Sequence, residues 1–117
     1  MQIGESKENY LEAIYVLSEA GEVRAVDVAE YLRFSKASVS IALKELRQLG
    51  LVCEVKSRRL SLTAEGREIA AGIYARHQYF SELLSSLGVA PELAEADAYK
   101  LAHAISEESF RHLSVLV

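Results

Sequence analysis

AVDVAEYLRFSKASVSIALKELRQLG, residues 25–50, is the stretch that decides the fold. Its opening residues set Val28, Ala29 and Leu32 on one side, the spacing of a short amphipathic helix. Arg33, Phe34 and Ser35 break that pattern, and a serine placed there caps a new helix by accepting a bond from a backbone N–H of its first turn. From Lys36 a second period puts Val39, Ala42, Leu43 and Leu46 on one face, and Gly50 supplies a left-handed stop. Two helices joined by so tight a turn form a helix-turn-helix.

Working outward, Tyr10, Ile14 and Leu17, flanked by Leu11 and Tyr15, predict an amphipathic helix from Lys7 to about Ala20, ended by Ala20-Gly21. After Gly50, LVCEV, the polar tip KSRR and LSLT read as two short strands around a turn, with Leu51, Val52, Val55, Leu60 and Leu62 suited to a half-buried hairpin. Such a hairpin is the wing of a winged helix. Thr63 can cap a long helix whose stripe Ile69, Ile73, His77, Phe80, Leu84 and Leu87 advances in steps of three and four until Gly88 breaks it. Pro91 opens a further helix to Ile105, with Leu93, Leu101 and Ile105 as its expected core. Ser106, with Glu107 and Glu108 behind it, caps a last helix through Phe110 and Leu113. The predicted fold class is mainly α: a winged helix-turn-helix over residues 1–63, then an α-helical dimerisation region over residues 64–117. Tyr74, Tyr79 and Leu83 lie outside the main row of the long helix, so this region and part of the first helix are expected to pair two copies into a homodimer. The closing HLSVLV suggests that the last helix packs on something.

At 117 residues the chain has material for one ordinary core, and 50% apolar residues with a single proline mark a folded helical protein. No apolar run approaches the roughly 20 residues of a membrane span, and MQIGESKENY lacks a signal-peptide core, which predicts a cytoplasmic protein. The lone Cys53 cannot form an internal disulfide and reads as a small packed residue of a wing strand rather than a redox sensor. No glycine-rich phosphate loop and no Cys-His or Ser-His-Asp arrangement stands out, so no enzyme is expected.

The net charge of −4 hides an asymmetry. Residues 25–63 hold seven basic and four acidic side chains (+3), against two and five (−3) before them and four and eight (−4) after. A locally positive surface on an acidic protein still attracts phosphates. On the helix from Lys36, Ala37, Ser38, Ser40, Ile41 and Lys44 are the candidate groove-facing residues. Ser40 offers a hydrogen bond to a base edge and Ala37 or Ile41 an apolar contact to a thymine methyl, while Lys36 and Lys44 bracket the face with phosphate contacts. Lys56, Arg58 and Arg59 at the wing tip can reach the DNA backbone or the minor groove. Ile41 also suits packing against a partner chain, and KSRR alone also suits a solvated turn. The order of helix, tight turn, helix and basic-tipped hairpin favours double-stranded DNA as the partner. The competing reading is a winged-helix protein-interaction module, which would lack salt-sensitive binding to random duplexes.

These segments also resemble the diphtheria toxin repressor and manganese transport regulator family of metal-dependent repressors. The resemblance is carried by ENYLEAIYVL, VDVAEYLRFSKASVSIALKELRQLGLV, LSLTAEGREIA, ARHQYF and AHAIS, which together cover nearly the whole chain. It implies a dimeric repressor whose metal occupancy sets its affinity for an operator, in the shorter form without an SH3-like domain. Carried over position by position, it implies Glu12, His77 and His103 as metal ligands. Where the family has further ligands, this chain has Asn9, Tyr99 and Ala102. One carboxylate and two imidazoles are a poor set for manganese or iron, whereas zinc accepts them in an open tetrahedral arrangement. His77 also lies on the apolar stripe, where a hydrogen-bonded core histidine is the plainer reading, and Tyr99 and His103, four residues apart, can hydrogen-bond each other over the former site. The expectation is a partly degenerate metal site.

Overall fold

A computed structural model describes residues 3–115. In chain order it comprises α1 (Glu5–Ser18), α2 (Ala25–Leu32), α3 (Lys36–Gln48), β1 (Val52–Val55), a single 3-10 turn at Lys56–Arg58, β2 (Arg59–Leu62), α4 (Ala64–Ser86), α5 (Pro91–Ala104) and α6 (Glu107–Ser114). Residues 1–71 and 72–117 form two compact units. Leu116 and Val117, the end of the HLSVLV segment, lie outside the described residues.

The first unit is the winged helix-turn-helix. Leu11 and Ile14 of α1, Val28 of α2, Val39 and Leu46 of α3, and Leu51 are fully buried in one cluster. Each such side chain contributes on the order of 1.5–3 kcal/mol by leaving water. The start of α2 is fixed by the Asp27 carboxylate, which accepts from the Arg24 backbone N–H at 2.8 Å. Arg33 ends α2 in the left-handed region, φ 58°. Ser35 then caps α3 as its sequence predicts, accepting from Ser38 N at 3.1 Å. At the other end of α3, Gly50 takes φ +75°, with Gly50 N bonded to Arg47 O and Leu51 N to Leu46 O, each at 3.0 Å. That pair of bonds is the Schellman stop expected of a glycine there. The first helix begins and ends two residues earlier than its periodicity suggests, and the Ser18 hydroxyl donates to Ile14 O at 2.6 Å in its last turn.

The hairpin pairs Val52 with Leu62 and Val55 with Arg59. Two readings change here, and one contact is added. Arg59 belongs to β2 and not to the tip. Cys53 is exposed rather than packed, because β1 buries only Val52 and then runs past the edge of the core, which also leaves Val55 at 45% exposure. Val23, between α1 and α2, bridges to Leu60, whose N–H donates to Val23 O at 2.7 Å, so the wing has a third contact line that no period announced.

Thr63 joins wing to helix. Its hydroxyl donates to Gly50 O at 2.7 Å and accepts from Gly66 N at 3.1 Å, while its own N–H donates to Leu51 O at 3.1 Å. Gly66 sits so close to the Leu51 carbonyl that a Cβ there would overlap it.

The second unit comprises the rest of α4 with α5 and α6. Ile73 and Phe80 are buried, and Tyr79, Phe80 and Phe110 form a ring cluster with centroids 5.2–6.0 Å apart, linking α6 to α4. On α5 the buried residues are Ala94, Ala98 and Ala102. Leu93 and Leu101, the expected core, are 56% and 40% exposed, Ile105 is half-buried, and Leu87 at the end of the α4 stripe is 72% exposed. The alanine row lies one position from the leucines on the same helix, and close packing has selected the small side chains, which let a helix approach its neighbours.

Candidate nucleic-acid interface

On α3 the buried face consists of Val39, Leu43 and Leu46, and every candidate groove residue lies on the other side. Lys36, Ala37, Ser38, Ser40, Ile41 and Lys44 are all exposed, Ile41 at 63%. The Ser35 hydroxyl both caps the helix and donates to the Ser38 hydroxyl at 3.0 Å, so Ser38 is tied to the helix start. Among the described residues, Lys36, Ser40 and Lys44 make no side-chain hydrogen bond or ion pair.

Electrostatics sharpen this face. Glu45 is paired with Lys7 at 3.1 Å and Glu54 with Arg47 at 3.4 Å, which offsets two of the segment's four carboxylates. At the wing, Lys56 and Arg58 are exposed and, among the described residues, outside any ion pair. Arg59 is placed differently: its Nη1 lies 3.0 Å from Glu22 Oε1 and its Nε donates to Lys56 O at 3.1 Å. The first unit thus gathers Lys36, Lys44, Lys56 and Arg58 as cations open to solvent and holds Arg59 against its own surface. Periodicity and composition could not separate Arg58 from Arg59, since the difference depends on Glu22, thirty-seven positions away.

The candidate metal ligands divide between the units. Glu12 is buried on α1, 7% exposed. Nearby in sequence, the buried Asn9 Oδ1 has no hydrogen-bond partner among the described residues. In the second unit, Tyr99 stands beside both histidines, its ring 6.0 Å from that of His77 and 4.8 Å from that of His103, edge-on in each case. His77 Nε2 lies 2.9 Å from Glu95 Oε1, and the other oxygen of that carboxylate accepts from Ser81 Oγ at 3.3 Å. Arg76 Nε donates to Ala102 O at 2.9 Å. Among the described residues of either unit, no three His, Cys, Asp or Glu side chains are grouped to hold a metal ion. Glu95 is the residue that sequence reading missed. The available signal was its place on one helical face with Tyr99 and His103, at steps of four.

Residues 2–60 match the model of the iron dependent repressor N-terminal DNA binding domain, and residues 63–117 that of the iron dependent repressor metal binding and dimerisation domain. The transcriptional regulator MntR of Escherichia coli O157:H7 is 40% identical over 103 residues, 87% of this chain and 66% of the relative. The HTH-type transcriptional regulator MntR of Bacillus subtilis (strain 168) is 32% identical over 113 residues, 96% of this chain and 80% of the relative. Among solved structures, the metal-dependent transcriptional regulator MtsR superposes with a TM-score of 0.85 at 26% identity, covering 94% of this chain and 52% of that one. A manganese-dependent transcriptional repressor in complex with manganese superposes with a TM-score of 0.81 at 25% identity, covering 93% and 51%. The chain spans 66% of the Escherichia coli relative and about half of these two solved chains.

Proposed function

The chain belongs to the iron dependent repressor family, and from that premise we propose that it is a transcriptional repressor that binds double-stranded DNA as a homodimer. The observation that carries this reading is the exposed face of α3, small and polar or apolar at Ala37, Ser40 and Ile41, flanked by the uncompensated cations Lys36 and Lys44. Short side chains let the helix enter a major groove, where Ser40 reaches a base edge and Ile41 a thymine methyl. The lysines, with Lys56 and Arg58 of the wing, meet phosphates and fix register. Its work is binding rather than catalysis, in the cytoplasm. Among the described residues no helix is long and apolar enough to cross a membrane.

The family implies a divalent metal in the C-terminal half, and when bound such an ion supplies charge that couples ligand binding to operator affinity. Of the ligand positions the resemblance implies, His77 and His103 are the ones the second unit would offer it. That donor set does not fit an oxygen-rich manganese or iron site, since Asn9, Tyr99 and Ala102 bring no anionic ligand. It fits a nitrogen-preferring ion such as zinc better.

Selection from a pool of random duplexes tests the function. We expect enrichment of inverted repeats whose half-site centres lie about 34 Å apart along the duplex, one helical turn. Recovery of no enriched sequence, with binding insensitive to salt, overturns the assignment.

A further inference from the structure

We propose that Glu22, Arg24 and Arg59 form a clamp that sets the wing tip for DNA, so that Arg59 is a positioning residue and Arg58 the phosphate contact. The proposal rests on the DNA-binding reading above and assigns different work to two adjacent arginines.

The tip backbone needs holding. Ser57 and Arg58 are consecutive non-glycine residues in the left-handed region, φ 61° and 60°. L-residues disfavour that region, and two in succession relax unless the surroundings fix them. In this wing two of the turn's three carbonyls, those of Lys56 and Ser57, are held by side chains from outside it. Arg59 Nε donates to Lys56 O at 3.1 Å, and Arg24 Nε donates to Ser57 O at 3.1 Å. The two guanidiniums converge on one carboxylate: Glu22 lies 3.0 Å from Arg59 Nη1 and 3.9 Å from Arg24 Nη2.

The clamp is itself anchored. Arg24 is the residue before α2, and its backbone N–H is bonded to Asp27. Between Glu22 and Arg24, Val23 is buried and its carbonyl accepts from Leu60 N at 2.7 Å. The α1–α2 connection therefore carries both a backbone bridge and two side-chain ties to the hairpin.

Charge separates the two roles. Arg59 already has its charge matched by Glu22 and its Nε and Nη1 engaged by the Lys56 carbonyl and that carboxylate, whereas Arg58 has no such partner among the described residues. A tip already in its bound shape also loses less conformational freedom on binding. The salt slope of DNA affinity counts the phosphates neutralised, so it distinguishes a contact from a support.

The test uses the full chain and a random-sequence duplex of roughly three helical turns, with affinity followed by fluorescence anisotropy between about 50 and 200 mM salt. Arg58→Ala is expected to reduce the slope of log affinity against log salt by about one. Arg59→Gln and Glu22→Gln are expected to weaken binding a few-fold at every salt concentration with the wild-type slope retained. The double variant should lose little more than the weaker-binding single variant, because both remove one device. In parallel, nitrogen-15 relaxation of the Ser57 and Arg58 amides without DNA should show ordered amides in the wild type and increased motion in Glu22→Gln and Arg24→Gln. A slope reduced by one in Arg59→Gln, or tighter binding with a steeper slope in Glu22→Gln, overturns the proposal. Amides equally ordered in all variants overturn it too. If the wild type binds no duplex, the DNA-binding reading fails, and the relaxation data still judge the clamp on its own.

Discussion

At Gly66 the first unit admits one amino acid. The Leu51 carbonyl occupies the space a Cβ would need, and a backbone carbonyl cannot swing aside as a flexible side chain can. Gly66→Ala should therefore cost roughly 1–3 kcal/mol, as overpacking does, read as a lower denaturant midpoint with an unchanged slope. Individual residues also govern the response to metal. With Asn9, Tyr99 and Ala102 where the resemblance implies ligands, manganese(II) or iron(II) added to metal-stripped protein should raise operator affinity by less than about tenfold, roughly 1.4 kcal/mol of coupling. Zinc should have the larger effect. A greater gain with manganese that disappears in His77→Ala would show that the site works without those carboxylates. The candidate ligand positions came from the family resemblance, position by position, and not from any period in the chain. The Glu95–His77 contact was not legible in the sequence, since it depends on how α5 sits on α4, and no period in one helix encodes its rotation against another.

Among the elements, α3 has the most fully legible start and stop. Ser35 supplies the cap bond and Gly50 the left-handed stop, both local chemistry that a single sequence carries. Ser35→Ala should lower stability by about 1 kcal/mol and, by freeing Ser38, weaken DNA binding beyond what the stability loss explains. A binding isotherm taken well below the melting range separates the two effects. α5 is the opposite case. Its leucines suggested a core, yet Ala94, Ala98 and Ala102 are the buried row, because burial depends on what a helix must approach and not on which of its residues is largest. Ala98 is fully buried, so Ala98→Leu should destabilise by about 1–3 kcal/mol despite adding apolar surface. A neutral or stabilising outcome in a urea melt would mean that the alanine face has slack. The wing lies between these cases. Its strands follow from alternation, while its tip geometry depends on Glu22 and Arg24, far away in sequence.

For the whole molecule, the expected unit of function is a pair of chains. Leu87, Leu93 and Leu101 of the second unit are 72%, 56% and 40% exposed, apolar side chains that a second chain could cover. Sedimentation equilibrium should give a dimer in the micromolar range, and Leu101→Asp should shift it toward monomer with helix content unchanged. A wild-type monomer, with and without DNA, would remove pairing from the account. Cys53 makes the pairing measurable. It is the chain's one cysteine, exposed on β1 across from Ser61. A thiol-reactive spin label would attach at one place per protomer, so a dimer would carry one pair of labels, one on each wing. Pulsed electron resonance would then report a single inter-wing distance distribution. Its width would track the looseness of the dimer, and its shift on adding duplex would measure how far the two wings travel to fit the groove spacing.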